Sequence, residues 1–241
     1  MFATQTSREA AATPRALERV LVTGGGSGLG RATVEAIRAA GGAAVALDLR
    51  TSGASEGEIA VDVADRTAVE AAVAQVAAQY GKITAVVCSA GTDACGPFAA
   101  VAADAWERVI NVNLIGTASI VRAALPHLVR ERGHVVTIAS TLGLKAVSDA
   151  TAYCASKFGV IGYSRALAIE LKDRVKVTCL IPGGMHTNFF EGRSAQYKPP
   201  ADWKANDPSD VANAIVFALS QPAHCEIREM VVCPSTEDSW P

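Results

Sequence analysis

The sequence has no long apolar run. None of its uninterrupted hydrophobic stretches could cross a bilayer as a helix, so no membrane partner is expected. It also lacks paired cysteines. The six, at 88, 95, 154, 179, 225 and 233, are scattered with no CxxC pair, which reads as free thiols in a reducing compartment. The four histidines, at 127, 134, 186 and 224, have no ligand-like spacing, and no metal is expected. Charge of one sign is not in excess. With 22 Lys and Arg against 24 Asp and Glu, the net charge of −2 gives no electrostatic reason for nucleic acid as a partner. Residues 1–16 read as a flexible, polar, Ala-rich tail without the basic start and apolar run of a signal peptide, so the expected location is cytoplasmic.

Hydrophobic residues, in contrast, make up 50% of the 241, enough for one sizeable core. They fall in short continuous runs. Stretches 20–22, 43–47, 59–61, 83–88, 134–139, 175–181 and 226–233 read as strands. Between them, 31–40, 65–80, 104–130, 151–171 and 207–219 read as helices. Asp65, Asp104 and Asp207 stand where N-caps are needed, Pro208 suits the first helical position, and Pro126 predicts a kink or break. Strands and helices alternate, and the strands are continuously apolar. That pattern predicts an α/β fold of the Rossmann type, a doubly wound parallel sheet of about seven strands with helices on both faces. No linker interrupts residues 17–241, so one domain is expected. Residues 51–57 read as a loop of small polar residues, and the last few residues are too short to form anything alone. Residues 186–207 are the only long irregular stretch, and Phe189, Phe190, Tyr197 and Trp203 favour a lid there.

The first strand runs into Gly24, Gly25, Gly26, Ser27, Gly28, Leu29 and Gly30, and then into a helix. A strand, a glycine turn and a helix start form a phosphate cradle, because the backbone can approach an anion and the helix supplies free N–H groups. The second strand ends at Asp48, about 20 residues past the glycines, where a carboxylate binds a ribose 2′-OH and repels a 2′-phosphate. No Arg or Lys stands inside the glycine loop, and Arg50 is the nearest base, so NAD is expected over NADP. The fifth strand delivers Ser140. Tyr153 and Lys157 are four apart on a helix and share a face. An ammonium near a Tyr hydroxyl favours the phenolate and tunes it for proton transfer, while Ser140 could hydrogen-bond the reacting oxygen. The glycine loop, Asp48, Gly91, Ser140 and Pro182 all follow strands, which places them on one sheet edge, the edge where such folds bind ligands.

These residues resemble the short-chain dehydrogenase/reductase family in its compact single-domain form, from about Leu17 to Cys233. Thr23 to Gly30 is similar to the family's TGxxxGxG loop, and Asp62-Val63 to its adenine-contacting Asp element. Cys88-Ser89-Ala90-Gly91 is similar to its Asn-Asn-Ala-Gly element with both asparagines replaced. Asn113 matches its active-site Asn; Ser140, Tyr153 and Lys157 match its Ser and YxxxK; Pro182, Gly183 and Thr187 match its PGxxxT element.

The resemblance implies that NAD is held by Gly24, Gly26, Ser27, Gly28, Leu29, Gly30, Asp48, Leu49, Asp62, Val63, Ala90, Gly91, Pro182, Gly183 and Thr187, with Tyr153 and Lys157 at the nicotinamide ribose. It implies interconversion of a secondary alcohol and a ketone, with Tyr153 as general acid/base, Ser140 orienting the substrate oxygen, Lys157 lowering the Tyr pKa, and Asn113 holding a water that links Lys157 to solvent. Ser140, Leu142, Tyr153, Gly184, Met185, Phe189 and Phe190 are expected to line a moderately apolar substrate pocket. A homodimer or homotetramer is expected from the family. Two other readings compete. One is a 3-oxoacyl thioester reductase, which would prefer NADPH and carry a base near the glycine loop. The other is a cofactor-sensing protein without catalysis, which would lack the Tyr or the Lys.

Overall fold

The computed structural model describes residues 13–51 and 57–240, so the expectations for residues 1–12 and 52–56 lie outside the described residues. Seven strands form one parallel sheet: β1 (Val20–Thr23), β2 (Ala44–Asp48), β3 (Glu58–Ala60), β4 (Ala85–Cys88), β5 (His134–Ile138), β6 (Lys176–Pro182) and β7 (Glu229–Val232). Their spatial order is β3-β2-β1-β4-β5-β6-β7. The chain therefore winds one way from β1 and the other way from β4, leaving a crevice between the ends of those two strands.

The strands are apolar throughout because both faces are covered. Helices α1 (Gly28–Ala39) and α6 (Pro208–Leu219) cover one face, with Val34, Ile37, Ile215 and Leu219 packed on Val20, Val22 and Ala46. Helices α2 (Arg66–Tyr80), α4 (Gly116–Glu131) and α5 (Thr151–Glu170) cover the other, with Val73, Val76, Ile120, Leu128 and Leu167 against Leu21, Val45 and Val86. Helix α3 (Ala103–Ile110) runs into α4 through a π turn at Asn111–Ile115. Together α3 and α4 span Ala103–Glu131, which is long and apolar enough by composition to cross a bilayer; half of its most apolar stretch is buried within this fold.

Local expectations mostly hold. Asp65 caps α2 by accepting the Ala68 N–H, Gly81 stops it at φ 75°, and Asp207 caps α6 with Pro208 at its start. Three need correction. Asp104 does not cap α3: Ala102 takes the N-cap position, and the Asp104 carboxylate accepts the Ala105 N–H from inside the first turn. Pro126 does not end α4, which continues to Glu131; Pro126 and Arg122, whose carbonyl loses its partner, are both exposed, so water can satisfy it. The last strand begins at Glu229 and not 226, because side chains replace the backbone ladder there: the Val177 N–H donates to Glu226 Oε1 at 2.9 Å and the Thr178 hydroxyl to the Ile227 carbonyl at 2.6 Å. At the other end of the described residues, Arg15–Leu17 form a short 3-10 turn with Leu17 fully buried.

Candidate active site

The carboxyl edge of the sheet gathers the expected residues. Thr23, the last residue of β1, accepts the Ala90 N–H on its hydroxyl at 3.1 Å, drawing the loop after β4 against the glycine loop. Gly24 has φ 68°, and a Cβ there would lie 2.9 Å from Ala90 Cα; at Gly30 a Cβ would come within 2.0 Å of Gly24 O. Only glycine lets the loop fold back over the first turn of α1. Ser27, at the α1 N-cap, makes no side-chain cap bond, and the first turn has no acidic residue. The N–H groups of that turn are thus left for an anion, as a dinucleotide pyrophosphate requires. Thr187 stands across from this loop, 3.5 Å from where a Gly28 Cβ would be.

Asp48 accepts the Gly26 N–H at 2.9 Å and the Arg50 N–H at 3.1 Å. Its carboxylate therefore borders the glycine loop, where a ribose diol would lie. Leu49 beside it is exposed. Asp62 forms a two-pronged ion pair with Arg108, at 2.8 and 3.0 Å, and accepts the Ala64 N–H at 2.9 Å. The Arg108 hydrogen bond, outweighing partial burial, holds this carboxyl below the usual range. Val63 is buried against Gly116, where a Cβ would meet its side chain at 2.9 Å.

Ser140 follows β5 and accepts the Leu142 N–H at 3.1 Å, and its hydroxyl is near enough to Tyr153 to favour the phenolate. Leu142 is half-buried at this turn. Lys157 lies one turn beyond Tyr153 on α5; its Nζ donates to Ile138 O at 2.8 Å and stands 5.5 Å from the Tyr153 ring centre. Burial pushes the lysine down to about 8. Burial also pushes the Tyr153 phenol above its ordinary value, opposed by the nearby Ser140 hydroxyl and by Arg193. The ring is partly exposed, but its hydroxyl end lies in the desolvated part of the site. In the protein alone, desolvation outweighs the groups that lower Tyr153, and Lys157 is not among those groups, contrary to the expected depression.

Asn113 sits inside the π turn, a helix irregularity common at functional positions. It accepts the Thr92 N–H at 2.8 Å and donates to Thr92 O and to Ser156 Oγ at 2.9 and 3.0 Å. Its amide thus fastens the loop after β4, including Gly91, to α5 and makes no direct bond to Lys157. Cys88, in place of the family's first asparagine, is fully buried, and burial holds its thiol up at about 12, hence neutral.

The stretch from 186 to 207 covers this edge. Phe189 packs on Tyr153 at 5.7 Å between ring centres, Phe190 on Trp203 at 5.2 Å, and Arg193 lies over Phe190 at 4.5 Å. The lid is tied down by an Arg193–Asp93 ion pair and by the Tyr197 hydroxyl bonded to Asp149 at 2.9 Å. Met185, at the root of the lid, packs in part against the core. An open cavity of about 430 Å³ is lined by Met185, Thr187, Phe190, Pro199 and Trp203, among others. Asp93, 6% exposed in its side chain, was not singled out in the sequence; its place two residues after Gly91 was the one available signal.

The family model for short chain dehydrogenases matches residues 18–198. The chain belongs to the short-chain dehydrogenase family. It is similar to an uncharacterised oxidoreductase of Staphylococcus aureus (strain MW2), 32% identical over 226 residues that cover 89% of this chain and 96% of that protein. Among solved structures it resembles the closed form of serine dehydrogenase in complex with NADP+, at 28% identity and TM-score 0.85 over 91% of this chain and 96% of the other. It also resembles a short-chain dehydrogenase from Streptomyces avermitilis, at 29% identity and TM-score 0.77 over 89% and 87%. This short-chain dehydrogenase is thus an oxidoreductase with a seven-stranded Rossmann-like sheet, and Ser140, Tyr153 and Lys157 stand together at the carboxyl edge of that sheet.

Proposed function

We propose that the protein interconverts a secondary alcohol and a ketone, with NAD(H) preferred over NADP(H). The observation that carries this reading is the placement of Ser140 beside Tyr153, with Lys157 one turn on, next to an uncapped helix start that suits a dinucleotide. When bound, the nicotinamide supplies the site that accepts or gives a hydride.

The chain's own groups handle the proton and the oxygen. Tyr153, held protonated by its desolvated setting, donates its proton to the carbonyl oxygen in reduction and takes it back in oxidation. Ser140 donates a hydrogen bond to the same oxygen and orients it. Lys157, with one N–H on Ile138 O, keeps two for the ribose and for stabilising charge on Tyr153. Phe189 and Phe190 exclude water from the reacting face. The preference for NAD rests on Asp48, whose carboxylate borders the glycine loop and would repel a 2′-phosphate. The NADP+ in serine dehydrogenase marks this as a feature to be tested in this chain.

The test follows absorbance at the NADH band with a panel of secondary alcohols and ketones, under NAD and NADP, for wild type and Tyr153→Phe. The expected result is a rate with NAD that falls by about 10³-fold or more in the variant, while dinucleotide binding by fluorescence is retained. Wild-type silence across the panel, with binding intact, would leave a substrate outside the panel or the non-catalytic reading.

A further inference from the structure

The segment after β7 has no regular structure, yet it folds back over the carboxyl edge of the sheet. Glu237 Oε2 accepts the Gly184 N–H at 2.7 Å. Its other oxygen accepts the Ser239 hydroxyl at 2.6 Å and the Ser239 N–H at 3.2 Å. The Ser239 hydroxyl also meets the buried Thr141 hydroxyl at 2.6 Å, and Lys145 Nζ donates to Asp238 O at 2.8 Å. One carboxylate therefore connects the loop after β6 with the turn after β5. The first loop carries Gly183 and Thr187, and the second begins with Ser140.

The two glycines at 183 and 184 fit this arrangement. Neither has the left-handed backbone that by itself calls for glycine. The requirement is one of space: a Cβ at Gly183 would come within 2.3 Å of Glu237 Oε2, and one at Gly184 within 2.1 Å of the Trp203 ring. The Gly184 peptide is held on both sides, its N–H by Glu237 and its carbonyl by the Asn206 N–H at 3.1 Å, at the far end of the lid. Removing a carboxylate from water is costly, and here three hydrogen bonds offset that cost. Burial alone would raise the Glu237 pKa; the bonds from Ser239 and Gly184 outweigh it and hold the group below its ordinary value, so it is ionised at neutral pH.

We propose that Glu237 is a positioning residue: through Gly184, and through Ser239 on Thr141, it fixes the spacing between the Ser140 turn and the 182–187 loop. It touches no reacting atom. The consequence for turnover rests on the alcohol–ketone reading, whereas the consequence for the two loops does not.

The test compares wild type with Glu237→Ala, Glu237→Gln and Ser239→Ala by amide hydrogen exchange, dinucleotide titration and steady-state kinetics. Glu237→Ala is expected to speed exchange about tenfold in both 139–145 and 183–188, two stretches far apart in the chain. Glu237→Gln, whose amide oxygen can still accept the Gly184 N–H, is expected to restore protection at 183–188. Ser239→Ala is expected to free 139–145 more than 183–188. With an active substrate, Glu237→Ala is expected to lower kcat about tenfold and to change KM for the dinucleotide less. Faster exchange confined to 234–240, or at 183–188 alone in Glu237→Ala, would overturn the proposal, as would a kcat loss with exchange unchanged. A wild type that turns over nothing while both loops respond as expected would defeat the alcohol–ketone reading and leave the positioning role standing.

Discussion

The two ends of the sheet use polar residues in opposite ways. At the amino edge, Thr84 accepts the Arg19 N–H at 2.8 Å and lies within hydrogen-bond distance of the carbonyls of Ala16 and Arg19. His134 bonds Thr178 at 2.8 Å, and Lys176 Nζ is taken by the carbonyls of Gln221 and Pro222. These groups close the fold upon itself. At the carboxyl edge, the start of α1 is uncapped and Lys157 donates to one carbonyl only. Two lysines near opposite edges of the sheet, Lys157 buried and Lys176 half-buried, make the point: desolvation lowers the pKa of both, but Lys176 is spent on structure and Lys157 keeps donors in hand. A buried polar group with its partners in place stabilises; one left with free valence is poised for a ligand.

Substitutions can break or sharpen this contrast. The largest effect is expected from Lys157→Met, with kcat falling about 10²–10³-fold. Its thermal stability at pH 7 should be no lower than wild type, because the folded pKa of about 8 lies below the ordinary lysine value of 10.5. The unfolded chain then binds the lysine proton more tightly, and stability rises with pH across that window. A marked loss of melting temperature in Lys157→Met would make the carboxyl edge structural after all. Next, Asp93→Asn leaves the half-buried Arg193 without its counter-charge and should raise substrate KM about tenfold, a loss of about 1.4 kcal/mol. Limited proteolysis should cut the 186–207 stretch faster in this variant, and an unchanged cleavage rate would separate the ion pair from lid closure.

Asp48→Ala should move the NADP/NAD ratio of kcat/KM about tenfold towards NADP by removing like-charge repulsion. No shift in that ratio would take the ribose contact away from Asp48. The smallest effect on turnover belongs to the amino edge. His134→Gln should leave kcat/KM within about twofold. It should, however, change acid stability. Burial lowers His134 from 6.5 to about 3, so the folded chain resists its protonation, and the stability present above pH 6.5 is lost as pH falls towards 3. Melting temperature in the glutamine variant should fall less steeply over that range, and equal slopes would show that His134 contributes nothing to acid unfolding.

Much of this was legible in the chain. Continuous apolar runs announced a sheet buried on both faces, because a strand with no polar alternation has no solvent side. Asp65, Gly81 and the Asp207-Pro208 pair marked helix ends, because caps act within a few residues of themselves. The misreadings were those where a local rule met a tertiary partner. Asp104 looked like a cap until Ala102 took the extended turn, and of the kink or break expected at Pro126 the break does not occur, because α4 runs on to Glu131 with the lost bond facing solvent.

By itself, the sequence determined the alternation of strands and helices, the glycine cradle, and the spacing that puts Tyr153 and Lys157 on one helical face. These depend on contacts only a few residues apart, and periodicity encodes them directly. The tertiary structure alone decided what stands around that pair: Asp93 beneath Arg193, Phe189 on Tyr153, and Glu237 between the loops of Ser140 and Gly184. Each of these joins residues about 36 to 100 positions apart, and no pattern within a window of sequence records a meeting that only the winding of the sheet brings about.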